Sequence, residues 1–138
     1  MSSINAAAFS QLPPGALPAT YVEQDPAQCA QAKVAHLFGI LGILGTGINY
    51  YLKHKQAGPF VKDQMKEAFN FHVVVFAVMV VLSITSVVAG MILGILAMVV
   101  SLVSMAVGIG AIVLSVMNAM KAGKGQVARY PVRYNVLK

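Results

Sequence analysis

Acid–base, nucleophilic or metal chemistry would have to be built from very few side chains. They are His36, His54, His72, Cys29 and the carboxylates Glu23, Asp25, Asp63 and Glu67. Asp63 and Glu67 are four residues apart, so on a helix they share a face, the spacing a carboxylate pair would need. Lys62 and Lys66 adjoin them. That mixture of charges reads as a solvated helix face rather than an acid–base centre. Glu23 and Asp25 belong to another segment. His36 is expected near the outer end of a first membrane span and His72 near the inner end of a second, too far apart to share a metal. Each lies within about one turn of an interface, where a histidine can bond to backbone. A lone cysteine permits no intrachain disulfide. There is no Ser/His/Asp set, phosphate loop or Cys-x-x-Cys pair. The expectation is a non-enzymatic protein with no catalytic, cofactor-binding or metal-binding residue and no cofactor.

The elements that carry these residues are membrane elements. Of the 138 residues, 58% are apolar and 10% charged, against roughly 25% charged in soluble domains. Phe71 to Met120 is a run of fifty residues without Asp, Glu, Lys or Arg. As one helix it would reach about 75 Å, far beyond a hydrocarbon core of about 30 Å. It must therefore fold back, with the turn expected near Ala89-Gly90-Met91. A third apolar stretch runs from Ala35 to Leu52, with Lys33 before it and Lys53 after it. A soluble bundle is disfavoured because the long run leaves no polar helix face.

The fold class expected is an all-α integral membrane protein. It has three transmembrane helices, at about 35–52, 70–89 and 93–120. A short amphipathic interfacial helix at about 59–69 lies between the first two. Pro59 suits its first turn. Val61, Met65, Ala68, Phe69 and His72 form one face, and Lys62, Asp63, Lys66, Glu67 and Asn70 the other. The same pattern also fits a solvated extension of the second span. Residues 1–32 read as a flexible tail, helical from Pro26 onward, and 33–122 as the membrane domain. Residues 123–138 read as a basic tail. No basic region and continuous apolar core mark a cleavable signal peptide.

Two patterns point to association. Gly39, Gly42, Gly45 and Gly47 in the first span read as a helix-packing groove. In the third, Gly94, Ala97, Ser101, Ser104, Gly108, Ala111, Ser115, Asn118 and Ala122 are spaced alternately by three and four. That is a heptad seam of small residues, suited to close, left-handed helix packing in lipid. Its partner is either another span or a second protomer. Asn70 and Asn118 are expected at one boundary, bonding to each other or to the tail.

The basic residues are asymmetric. Lys53, Lys55, Lys62, Lys66, Lys121, Lys124, Arg129, Arg133 and Lys138 fall on one side of a three-span topology, and Lys33 alone on the other. The positive-inside rule then puts the 53–70 connection and the C-terminus in the cytoplasm and the N-terminus outside, in a cell inner membrane. Tyr130 and Tyr134 among Arg129 and Arg133 suit a headgroup layer. Anionic lipid on the cytoplasmic side is the expected partner of Lys53, Lys55, Lys62, Lys66, Lys121, Lys124, Arg129 and Arg133. The net charge of +6 requires no nucleic acid. A second copy or another membrane protein is the expected protein partner.

Several short motifs add a resemblance. Ala35-His36-Leu37 opens the first span, and Pro59-Phe60-Val61 with Lys66-Glu67-Ala68-Phe69-Asn70-Phe71 leads into the second. Lys121-Ala122-Gly123-Lys124-Gly125 and Tyr130-Pro131 close the chain. Over roughly residues 33–135 the sequence resembles a group of small bacterial membrane proteins of unknown function. That group is similar to the chloroplast inner-envelope protein-import component (Tic-twenty-like). The resemblance implies a membrane fold, with His36, Asn70, Phe71, Gly125, Tyr130 and Pro131 as shared motif positions. It supplies no catalytic residue. The function expected is an accessory or assembly subunit, or a small homo-oligomer. A translocation conduit is the alternative by analogy, and an immunity protein against a membrane-acting toxin is a third.

Overall fold

The computed structural model describes residues 25–132, 134 and 136–137. Residues 1–24 of the expected tail, with Arg133 and Lys138, lie outside the described residues. Three helical stretches are long and apolar enough to cross a membrane: Pro26–Lys53, Pro59–Ile92 and Gly94–Gly123. The protein is an all-α membrane protein, but the three stretches are built differently.

The first starts at Pro26, nine residues before the apolar run, because its start is capped. Asp25 Oδ1 accepts from the Ala27 N–H at 2.9 Å, and Pro26 fills the first turn. Helix α1 runs Pro26–Leu37 and then tightens into a 3₁₀ turn, Phe38–Leu41. Gly42 has φ +67°, a conformation that costs only glycine nothing. Helix α2, Gly42–Lys53, leaves in a new direction. Ala30, Gln31 and Val34 of α1 share one pocket with Asn49 and Lys53 of α2. A straight helix would hold Ala30 and Lys53 about 35 Å apart. The 35–52 segment is therefore interrupted, and its halves lean back on each other. Its glycines serve the reversal and close approaches to neighbouring residues rather than one groove. Gly39 meets the His72 ring and Ser115, and Gly47 meets Phe69.

Helix α3 is continuous from Pro59 to Ile92, 34 residues, with Pro59 in its first turn. The segment 59–69 is thus the first part of the second stretch and not a separate interfacial helix. It is also not half-solvated. Phe60, Val61, Met65 and Ala68 are buried, and so are the polar Asp63, Gln64, Glu67 and Asn70. Helix α4, Gly94–Gly123, follows after a single extended residue, Leu93, with φ −146° and ψ 116°. The reversal falls a few residues beyond the expected place. Gly90 stays helical and receives the Ala97 methyl, 3.5 Å from where its own Cβ would be.

The expected seam meets α3 and the base unevenly. Ala111, Ser115, Asn118 and Ala122 are buried, and Ala97, Ser104 and Gly108 half-buried, while Gly94 and Ser101 are exposed. The molecule divides accordingly. Its base holds α1, α2, the start of α3 and the end of α4 around Ala32, Ala35, Phe60, Val61, Met65 and Ala122. Beyond the base, α3 and α4 continue as a bare helical hairpin with exposed Val81, Val87, Met98 and Leu102.

A Cβ on Gly39 would lie 2.7 Å from Ser115 Oγ and collide with the His72 ring. Gly39→Ala is expected to cost about 1–3 kcal/mol by overpacking. Gly108→Ala, with open space around it, should stay within about 1 kcal/mol of wild type or gain by helix propensity. Thermal unfolding of both variants in detergent checks the contrast.

Candidate functional site

The end of α4 sets up the site. Gly125, with φ +75°, terminates the helix. Gly125 N–H donates to Ala122 O at 3.0 Å and Gln126 N–H to Lys121 O at 3.1 Å. These are the paired bonds of a Schellman cap, which require a left-handed residue after the helix. The Lys121-to-Gly125 motif is thus a helix stop. It turns the chain back across the start of α3.

There α3 presents Gln64, Glu67 and Asn70 at intervals of three. Each uses a side-chain oxygen to receive backbone N–H groups of the returning segment. Gln64 Oε1 accepts from Ala128 N at 3.0 Å, and Glu67 Oε1 from Tyr130 N at 2.9 Å. Asn70 Oδ1 accepts from Val136 N at 3.2 Å and Leu137 N at 2.9 Å, and its Nδ2 donates to Leu137 O at 3.3 Å. A strand partner would supply such acceptors from backbone; here a helix face supplies them from side chains.

A chain of polar groups runs inward from this clamp. Arg129 Nη1 donates to Asp63 Oδ2 at 2.6 Å, with the Asp63 side chain 8% exposed and that of Arg129 24%. The same Asp63 oxygen accepts from Gln64 Nε2 at 2.8 Å, which fixes the amide with its oxygen inward. Gln64 Oε1 can only accept, so His36 Nε2, 3.0 Å away, is the donor. His36 Nδ1 is then placed to accept from the Tyr130 hydroxyl at 3.0 Å; this tautomer is assigned by the network. Phe71 stacks on Tyr130, with ring centroids 3.9 Å apart and planes 6° apart. His72 Nδ1 bonds Ala68 O at 2.8 Å, and Ser115 Oγ is 3.3 Å from its Nε2. Burial pushes the Tyr130 phenol up to about 12.

Several expectations need correction. His36 and His72 were expected at opposite ends; both flank Tyr130, with ring centroids 5.5 and 6.2 Å from it. The break at 38–42 brings them together. Asp63 and Glu67 were expected on a solvated face; both are buried and bonded to the returning segment. Arg129 and Tyr130 were expected among headgroups; Arg129 pairs inward and Tyr130 is buried. Asn70 does bond the tail, whereas the buried Asn118 Nδ2 has no partner among the described residues. Lys53, Lys55, Lys121 and Lys124 are exposed, Lys62 and Lys66 half-buried. His54 closes α2, its Nδ1 2.9 Å from Tyr50 O. Pro131 is exposed just after the clamp.

This geometry does not resemble a reactive centre. The Ser115 hydroxyl donates to Ala111 O at 2.8 Å, within its own helix, so the Ser115–His72 contact lacks an oriented nucleophile. Both His36 ring nitrogens are engaged. Among the described residues no group of three or more His, Cys, Asp or Glu is disposed to hold a metal.

The segment gathered by this clamp also carries the chain's family relationship. Residues 28–137 match the magnetosome magnetite crystal formation protein family, MamF/MmsF. The chain belongs to this family. The match spans α1 through the clamped C-terminal segment, so the whole base and both long helices belong to it. It overturns the resemblance to the chloroplast import component: the motifs quoted for that group lie in a magnetosome-family chain. No curated protein and no solved structure matches the chain. The residues not foreseen in this MamF/MmsF member are Gln64, which links three partners, and the Asp63–Arg129 pair. The signal was present as polar residues at 64, 67 and 70, spaced by three beside the apolar positions 60, 61, 65 and 68.

Arg129→Gln would leave Asp63 buried without its cation and should cost about 1–3 kcal/mol. Tryptic cleavage after Lys124 should accelerate, while the bare hairpin stays protected. The Tyr130 phenol gives a pH signature. Its folded value lies above the ordinary value of about 10, so its contribution is complete below pH ~10 and is lost as pH rises through about 12. Phenolate absorbance should contain one late tyrosine that Tyr130→Phe removes.

Proposed function

We propose that this protein is a non-enzymatic accessory or assembly component of the membrane around a growing magnetite crystal. The family match over residues 28–137 carries this reading. The disposition of charge supports it and narrows it. Each carboxylate among the described residues has a partner: Asp25 caps α1, Asp63 pairs with Arg129, and Glu67 receives Tyr130 N–H. The described chain therefore offers bilayer contact, helix packing and a basic face, rather than a free carboxylate array for iron cations. The hydroxyls of Ser83, Thr85, Ser101, Ser104 and Ser115 are spent on carbonyls of their own helices. A polar conduit gains no support from them.

The fold also supports an orientation. Gln28 lies against Gly58, and Lys33 against Gly123. The start of α1, the end of α2, the start of α3 and the end of α4 thus share one end of the molecule. With Lys53, Lys55, Lys62, Lys66, Lys121 and Lys124 there, the positive-inside rule assigns this end to the cytoplasm. The bare part of α3, Val73 to Ile92, is twenty residues, about 30 Å, which matches the hydrocarbon core. In this reading the α3–α4 hairpin crosses the bilayer. The first stretch enters and returns to the face it left. Residue 25 is then cytoplasmic, in place of the outside N-terminus expected from three crossings. The exposed remainder of the seam, Gly94 and Ser101, is open to lipid or to a second copy.

Two measurements test these statements. Purified protein in liposomes, present during iron(II)/iron(III) coprecipitation, should change crystal size or number relative to empty liposomes; identical crystals would sink the functional reading. In a Cys29→Ser background, Gln31→Cys and Gln56→Cys should label from the same side of native vesicles and Leu93→Cys from the other. Labelling of Gln31→Cys and Gln56→Cys from opposite sides would restore a crossing first stretch.

A further inference from the structure

The two arms of the first stretch do not close completely. Between them, over α3, is a pocket of about 220 Å³ lined by Ala30, Gln31, Val34, Asn49, Lys53 and Met65. That is below the usual range for small-molecule sites, about 300–1,000 Å³. It suits a single headgroup phosphate with the first atoms of its chains.

The lining is amphipathic. Ala30, Val34 and Met65 are apolar, while Gln31, Asn49 and Lys53 carry polar heads. Asn49 is 5% exposed and lines the pocket. A carboxamide that opens into a pocket can offer its N–H groups to an anionic oxygen there. Lys53 follows one turn later on the same helix face, exposed and outside any ion pair among the described residues. No lining residue is acidic. An anionic oxygen acceptor is the chemistry that the Lys53 ammonium and the Asn49 amide can both serve.

The setting decides what carries that anion. The outer side of α2 is an apolar surface of Ile43, Leu44, Gly47, Ile48, Tyr51 and Leu52, with Leu44 75% exposed. Such a surface belongs in lipid. One wall of the pocket is thus in the bilayer, and its mouth at Lys53 is beside the basic turn 53–58. An amphipathic ligand arriving from the membrane meets both halves of the pocket.

We propose that this pocket holds one anionic phospholipid. Its phosphate accepts from Lys53 Nζ and the Asn49 amide, and the start of its acyl chains lies on Val34 and Met65. The site fastens the first stretch to the cytoplasmic leaflet. The proposal rests on the base being at headgroup depth, and it is independent of any part in crystal growth.

The test is native mass spectrometry of the full chain from neutral detergent. The probes are phosphatidylglycerol and phosphatidylcholine with the same oleoyl chains, with inorganic phosphate as competitor. One phosphatidylglycerol per chain should be retained, about fivefold in preference to phosphatidylcholine, the increment of one lysine near a membrane surface. Lys53→Gln should remove the preference, and Asn49→Asp should weaken retention by opposing the phosphate. Lys33→Gln, which removes a charge outside the pocket, should not. Thermal midpoints of each variant separate lost binding from lost folding, and Lys53→Gln alters only an exposed side chain. Equal retention of the two lipids overturns the proposal. So does wild-type retention by Lys53→Gln, or an equal loss in Lys33→Gln. Displacement by inorganic phosphate would indicate a free-phosphate site and overturn it too.

Discussion

The reception of the C-terminal backbone by the first turns of α3 is the interaction on which the rest of the base depends. A chain leaving a helix beside apolar packing carries N–H groups that must find acceptors. Here Gln64, Glu67 and Asn70 supply them, at 2.9–3.2 Å. The arrangement works because one helical face can present side chains every three residues. It also makes the acceptors expensive to lose. Each is buried, so an acceptor without its donor has little water to turn to.

A second dependence follows from the first. The bonds of Gln64 run in both directions, outward to Ala128 and inward to His36. His36 reaches Gln64 only because α1 ends in a 3₁₀ turn and Gly42 reverses the chain. The reversal, the clamp and the close approach of Gly39 to His72 therefore stand or fall together. Polar networks of this kind are stabilising when complete and costly when partly broken. The Asp63–Arg129 pair illustrates the point. Its worth lies less in Coulomb attraction than in fixing the Gln64 amide, from which the His36 tautomer follows.

What lipid imposes was legible in the sequence. A fifty-residue run without charge can only be membrane helix folded on itself, and the two long helices follow. The boundary falls at Leu93, beside Gly94, while Gly90 stays helical against Ala97. The broken first stretch was not legible. Eighteen apolar residues satisfy a spanning criterion whether or not they are straight, and four glycines suit a packing groove as well as a reversal. The acidic residues misled for a related reason. At i, i+4 among lysines, a carboxylate pair looks solvated. Only the return of the described residues after Gly125 gives that face a partner. Asn70 was expected to bond either Asn118 or the tail, and it bonds the tail.

The division of the molecule also constrains how it can act. In the base, polar side chains are largely consumed by one another; in the upper hairpin, hydroxyls are consumed by their own backbones. What remains available is apolar helix surface, a basic rim and the open cleft between α1 and α2. A protein with that inventory influences its surroundings through the membrane. The internal polar network keeps those surfaces in fixed relation. The network joins α1, α3 and the C-terminal segment, so the base that carries the long hairpin is held as one polar framework.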